Sequence, residues 1–81
     1  MNYSSQYSAA TIITDTNTHT GRFGKIHALN QVVIDTMLAE NITENGSSNT
    51  ITNVLLKQNA EVMGVITSIT LQSGELIAYY L

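Results

Sequence analysis

Few side chains in this chain could take part in catalysis. Its 81 residues include six carboxylates, two histidines and no cysteine. The carboxylates are Asp15, Asp35, Glu40, Glu44, Glu61 and Glu75, and most of them lie in or beside predicted turns. General acid–base catalysis needs two positioned titratable groups, or one such group with a nucleophile, held in a cleft. Carboxylates in turns are solvated, so we expect no catalytic residues and no enzymatic activity.

The two histidines do not predict a metal site. His19 and His27 lie eight residues apart. We identify no Asp or Glu at metal-ligand spacing from them. We therefore expect neither a metal nor a cofactor. His27 follows Ile26 and is expected to be a half-buried strand residue.

The charge balance argues against nucleic-acid and membrane partners. Only Arg22, Lys25 and Lys57 are basic, and the net charge is -3. So few cations cannot neutralise the phosphates that supply most nucleic-acid affinity. No apolar stretch approaches the roughly 18 residues that span a bilayer, and the N-terminus lacks the pattern of a signal peptide. We expect a product that stays soluble in the compartment where it is made.

The segment Gly21 to Gly24 reads Gly-Arg-Phe-Gly. It has the Gly-x-x-Gly form of one RNA-binding loop, but no basic neighbourhood supports that function. Two glycines in this spacing more simply indicate a bulge or bend in the chain. We expect Phe23, the only phenylalanine, to be buried there.

The size of the chain points to association between copies. A monomer of 81 residues buries only roughly 60% of the surface that its unfolded chain exposes. Disulfides are excluded because cysteine is absent. The hydrophobic fraction of 43% is nevertheless that of a folded protein. We therefore expect an oligomer.

Two parts of the chain differ in composition. Residues 1–20 form a Ser/Thr-rich arm, and residues 21–81 form a single β domain. Threonines alternate in the arm, so that an extended strand would place them on one face: Thr14, Thr16, Thr18 and Thr20. We expect the arm to lie on a neighbouring subunit if it is ordered, and a mobile terminus is the alternative.

Residues 21–40 fit two patterns. Ile26, Leu29, Val33 and Met37 follow a helical spacing. The β-branched residues between positions 32 and 36 favour strands, and alternation with one bulge explains the same apolar positions. Periodicity alone does not decide between the two.

The remainder of the chain predicts strands and turns. Asn45-Gly46 predicts a turn, residues 50–57 a strand, and Asn59 a tight connection that tolerates positive φ. A longer strand over residues 61–71 changes register at a bulge near Thr67-Ser68. Residues 72–75 predict a hairpin turn, followed by a returning apolar strand. The edge of that strand must be covered by another strand or subunit.

The C-terminal part of the chain resembles the ending of many small bacteriophage structural proteins. The resemblance rests on Gly64, the run Ile66-Thr67-Ser68-Ile69-Thr70-Leu71, the pair Ser73-Gly74 and the run Leu76-Ile77-Ala78-Tyr79. Residues 21–38 are similar to the other block that recurs in those proteins, Gly-x-Phe-x-x-Ile before an apolar stretch. The sequence departs from the pattern where Lys57-Gln58-Asn59 replaces Pro-Ala-Gly and where Ile66 replaces a frequent Phe.

This resemblance implies an all-β fold and favours strands over residues 24–38. We expect a small antiparallel β-sandwich or barrel-like domain with an extended N-terminal arm. The implied function is that of a noncatalytic virion protein, most simply a trimeric capsid decoration or cement protein assembled in the host cytoplasm. Its partners would be copies of itself and the major capsid protein or another virion protein.

Subunit contacts are expected at apolar strand residues that are not buried within the monomer, and at the arm. The candidate residues are Ile66, Ile69, Leu71, Ile77, Tyr79, Thr14, Thr16 and Thr18. Tyr79 and Tyr80 point to opposite faces of the last strand, so we expect one in the core and one at the surface or an interface. Two other functions remain open, a head-fibre or tail-fibre base and a small carbohydrate-binding module, which would need two or three exposed aromatic residues on one face.

Overall fold

A computed structural model describes residues 7–81 of the chain. Within these residues the regular secondary structure consists of six strands, and there is no helix. The strands are β1 (Ala10–Ile13), β2 (His19–Ala28), β3 (Val32–Ala39), β4 (Thr50–Leu56), β5 (Glu61–Ser73) and β6 (Leu76–Tyr80). The predicted all-β class is confirmed.

The six strands form one antiparallel sheet in the order β1-β6-β2-β5-β3-β4. The architecture is therefore a single sheet. The sheet curls on itself and so buries its inner face, and the connection after β5 contacts the connection after β2. There the Leu29 N–H donates to the Glu75 carbonyl at 2.9 Å, and the Glu75 N–H donates to Asn30 Oδ1 at 2.8 Å.

One apolar cluster lies inside the curl and draws on every strand. Its buried residues are Ile13, Phe23, Ile26, Ala28, Val32, Ile34, Met37, Ala39, Ile51, Leu56, Ile66, Ile69, Leu71, Leu76 and Ala78. The accessible surface of 4787 Å² implies that roughly 60% of the unfolded chain's surface is buried, as size alone predicts. Each fully buried Ile or Leu contributes about 1.5–3 kcal/mol to a core of this size.

Of the two interpretations of residues 21–40, strands are confirmed and a helix is wrong. This segment forms two strands, β2 and β3, joined by residues 29–31. Ile26 and Ala28 are buried in β2, and Val32 and Ile34 are buried in β3, which is the alternation of a strand. Leu29, which the helical stripe would bury, is 40% exposed in the connection.

Several local predictions are confirmed. Asn59 has φ 71°, and the Asn45-Gly46 pair has φ 55° and 72°, as a tight turn with two left-handed residues requires. In β5 the bulge falls at Thr67, because Ser68 pairs with Leu38 while Ile66 pairs with the next residue of β3. Phe23 is fully buried, and the register of β2 shifts between it and Lys25.

The prediction that residues 72–75 form a hairpin turn between two paired strands is wrong. β6 forms where a returning strand was expected, but it pairs with β1 and β2, because β2 lies between β5 and β6. Gly74 makes the turn possible, since its φ is 91° and an added Cβ would collide with the Gln31 carbonyl oxygen and Val32.

The structure divides the N-terminal region differently from the predicted arm. Ala10–Ile13 form β1, which pairs with β6 of the same chain, and Ile13 is buried in the core. Residues 14–18 make no strand, so the predicted face of alternating threonines does not form. There the Asn17 N–H donates to the Asp15 carboxylate at 3.1 Å, which turns the chain. Residues 1–6 of the predicted arm lie outside the described residues.

Candidate interaction surface

Three of the predicted contact residues are not available to another molecule. Ile66, Ile69 and Leu71 are buried in the core because the Thr67 bulge turns all three inward, so they do not meet the stated condition that contact residues are not buried within the chain. Ile77 and Tyr79 are half-buried in β6. Thr14, Thr16 and Thr18 are exposed in the connection between β1 and β2.

Ile77 and Tyr79 belong to a larger surface on the outside of strands β1, β6, β2 and β5. Residues directly opposite one another in neighbouring strands share a face, so the register defines two rows. The first row is Ile12, Ile77, His27 and Glu61. The second row is Ala10, Tyr79, Lys25 and Met63. These eight residues are called the outer patch below.

The outer patch exposes large apolar side chains. Ile12 is 60% exposed at one end of the patch, and Met63 is 68% exposed at the other end. Sequence reasoning missed both residues. The sequence did indicate the outward position of Met63. It lies between Val62 and Gly64, which share the inward face of the strand, so its own side chain points to the other face. Ile12 was missed because it lay in the segment assigned to the arm.

Glu61 carries the negative charge of the outer patch. Its Oε2 lies 2.9 Å from His27 Nδ1 and 3.1 Å from Lys25 Nζ. Hydrogen bonds from His27 and then from Lys25 hold the pKa of the Glu61 carboxyl below its ordinary value. The prediction that His27 is a half-buried strand residue is confirmed. These exposed ion pairs fix the directions of the side chains more than they stabilise the fold.

Aromatic rings border the charged centre. The Tyr79 ring lies 5.5 Å from the Tyr7 ring, and Lys25 Nζ lies 5.4 Å from the centre of the Tyr79 ring. Tyr80 is on the other side of β6, with its ring 5.0 Å from the ring of Phe23. The two tyrosines therefore do face opposite ways, but neither is fully buried as was expected of one of them.

A second outer surface covers the half of the sheet built from β5, β3 and β4. Threonines face one another across these strands, Thr70 opposite Thr36 and Thr36 opposite Thr52. Thr18 continues this row, since its Oγ1 lies 2.8 Å from Thr70 Oγ1. This neutral hydroxyl row contrasts with the apolar and charged outer patch.

Asp15 lies four residues before His19, at a spacing that the sequence interpretation overlooked, and its Oδ1 is 2.7 Å from His19 Nε2. The hydrogen bond from His19, and that from the Asn17 N–H, hold the pKa of the Asp15 carboxyl below its ordinary value. Over residues 7–81 the structure brings together no group of three potential metal ligands. The same residues include no helix of the length and hydropathy that crossing a membrane requires.

Comparisons with protein-family models, with curated proteins and with solved structures each found no match to this chain.

Proposed function

We propose that this chain is a noncatalytic bacteriophage virion protein that forms a homotrimer and binds the capsid surface as a decoration or cement protein. Two observations support the proposal. One is the resemblance of residues 21–38 and 54–79 to small phage structural proteins. The other, which carries the proposal, is the outer patch, which exposes Ile12 at one end and Met63 at the other end of one face of the sheet.

The composition of the outer patch suits a protein contact. Ile12, Ile77 and Met63 supply apolar area, and Tyr79 supplies a large ring with a hydroxyl group. Lys25 and Glu61 pair with each other, so their charges are already neutralised when a partner covers them. A protein present in many copies on a shell needs only weak individual contacts, because the array binds collectively.

The argument from an uncovered C-terminal strand loses its force in this structure. β1 pairs with β6 over all four of its residues, from Ala10 opposite Tyr79 to Ile13 opposite Leu76. The chain thus covers that edge of β6 by itself. The case for association rests instead on the outer patch and on the small size of the core.

The copy number in purified particles tests the proposed location. Quantitative mass spectrometry of virions that contain this chain should find on the order of hundreds of copies if it decorates the shell. A few copies would overturn shell decoration and favour the base of a head or tail fibre. A matched measurement of the major capsid protein in the same particles provides the scale.

Carbohydrate binding is a second candidate because Tyr7 and Tyr79 lie together on one face. Small-molecule sites combine aromatic faces with a few placed polar groups, and Lys25 Nζ lies 5.4 Å from the centre of the Tyr79 ring. A glycan array that shows saturable binding, lost in Tyr79→Ala and kept in Tyr80→Ala, would support this function. No saturable binding would remove it.

A further inference from the structure

The two edges of the sheet differ in how they are protected. At the β4 edge the Thr52 N–H donates to the Glu44 carboxylate at 2.9 Å. Asn53 has φ 55° in the middle of β4, which interrupts the extended backbone. A side chain bonded to the edge and a local distortion are both devices that prevent a further strand from adding. The β4 edge is thus closed to strand pairing.

The β1 edge is short, with four residues, but it carries neither of these two devices. Ala10–Ile13 contain no charged residue, proline or glycine, and none of them has positive φ. The Tyr80 N–H donates to the Ala9 carbonyl at 3.0 Å. Since hydrogen-bonded pairs alternate along an antiparallel ladder, Thr11 and Ile13 also bond to β6, while the main-chain groups of Ala10 and Ile12 point away from the sheet. Among residues 7–81 no strand or side chain bonds to those outward groups.

We propose that the β1 edge pairs with the β1 edge of a second copy, antiparallel, about a twofold axis that passes at Thr11. Ala10 then lies opposite Ile12 of the second copy, and Ile12 lies opposite Ala10 of that copy. Both are hydrogen-bonded pairs, because the free main-chain groups of these two residues point outward. The contact joins two six-stranded sheets into one.

The composition of β1 favours a second copy of this chain as the occupant. A twofold contact must be self-complementary, and an uncharged strand meets its own copy without repulsion. In the proposed register each Ile12 lies between Ile77 of its own chain and Ala10 of the second copy. The side chain of Ile12, which is 60% exposed in the single chain, is then flanked on both sides.

This inference goes beyond the proposed function and does not depend on it. The threefold contact would use side chains on the face of the outer patch, whereas the twofold contact uses main-chain groups on the edge of β1; the side chains of Ala10 and Ile12 border both. Threefold and twofold contacts together can close into a dimer of trimers, so pairing of the β1 edges doubles the mass of the trimer. Either contact can also exist without the other, so experiments can test them one at a time.

Disulfide formation in a single-cysteine variant tests the register directly. The chain has no cysteine, so Thr11→Cys introduces the only thiol. Thr11 would lie opposite Thr11 of the second copy in a non-hydrogen-bonded pair, with about 4.5 Å between the two Cα atoms. That distance is within the range of a disulfide. We expect Thr11→Cys to form a covalent dimer under mild oxidation at least tenfold faster than Ser47→Cys. Ser47 is exposed in the loop before β4, far from β1 in the order of the sheet.

The mass in solution gives an independent readout. Ala10→Pro removes an outward N–H group of β1 but no hydrogen bond to β6, and it should halve the mass of an assembly in which the β1 edges pair. Met63→Lys introduces a charge on β5, away from the β1 edge, and Thr11→Cys should crosslink equally fast in its presence. The proposal is overturned if Thr11→Cys crosslinks no faster than Ser47→Cys, or if Ala10→Pro keeps the wild-type mass. A covalent dimer without any trimer would count against the proposed function alone.

Discussion

Ile12 in β1 lies directly opposite Ile77 in β6, and both side chains face outward from the sheet. The strand that covers the C-terminal edge of the chain thus also presents a new apolar residue to solvent. Covering apolar area is worth roughly 25 cal/mol per Å², so this exposed pair favours association. β1 closes one edge of the fold and creates a surface suited to a second molecule.

Phe23 should be the most sensitive position of the core. Its ring is fully buried between β5 and β6, opposite Ile66 and Tyr80. Phe23→Ala should lower the free energy of unfolding by about 3–5 kcal/mol, because it leaves a cavity that the sheet cannot fill. Urea denaturation at fixed protein concentration measures the loss. Leu29→Ala, at an exposed position, is the control and should cost less than about 0.5 kcal/mol. Equal losses in the two variants would contradict the described core.

Two glycines with positive φ provide a matched comparison. Gly46 and Gly74 have φ 72° and 91°, but only at Gly74 would an added Cβ meet the backbone of Gln31 and Val32. Gly46→Ala should cost about 1–2 kcal/mol, from the left-handed backbone alone. Gly74→Ala should cost clearly more, since the main chain of a neighbouring connection must move. Thermal melting of both variants checks the order, and a reversed order would show that the connections after β2 and β5 do not pack as described.

The Glu61 carboxyl should make stability depend on pH. Its pKa is lowered in the folded state by His27 and Lys25, so its stabilising effect is present above the unfolded pKa and is lost as pH falls through the folded pKa. The melting temperature of the wild type should exceed that of Glu61→Gln near neutral pH. The difference should shrink below about pH 4.

Added salt provides a check on the cause of this effect. The contacts of Glu61 are exposed, so high ionic strength should reduce the difference at neutral pH. A difference between wild type and Glu61→Gln that stays constant from neutral to acidic pH would rule out the described ion pairs.

The local geometry of the fold could be predicted where a residue type determines the backbone. Asn59 and the Asn45-Gly46 pair adopt positive φ because asparagine and glycine tolerate it. The bulge at Thr67 followed from the change of apolar face in β5. The partner of β6 could not be predicted, because a Gly74 turn is compatible with a hairpin and with a strand that lies beyond β2.

The candidate surface was predictable only in part, for a similar reason. Ile77 and Tyr79 alternate with the buried Leu76 and Ala78, so their outward position follows from the pattern of β6. Whether Ile12 belonged to a free arm or to the sheet depended on the pairing of β1 with β6, which joins opposite ends of the chain. Sequence patterns carry little information about contacts at such separation.

The central claim is that this chain completes its burial by association with copies of itself, and sedimentation equilibrium at micromolar concentration tests it most directly. The account predicts a species of about 26 kDa, three times the 8.8 kDa chain, or twice that mass where the β1 edges also pair. A single 8.8 kDa subunit that stays monomeric over this range and still melts cooperatively at high temperature would contradict it.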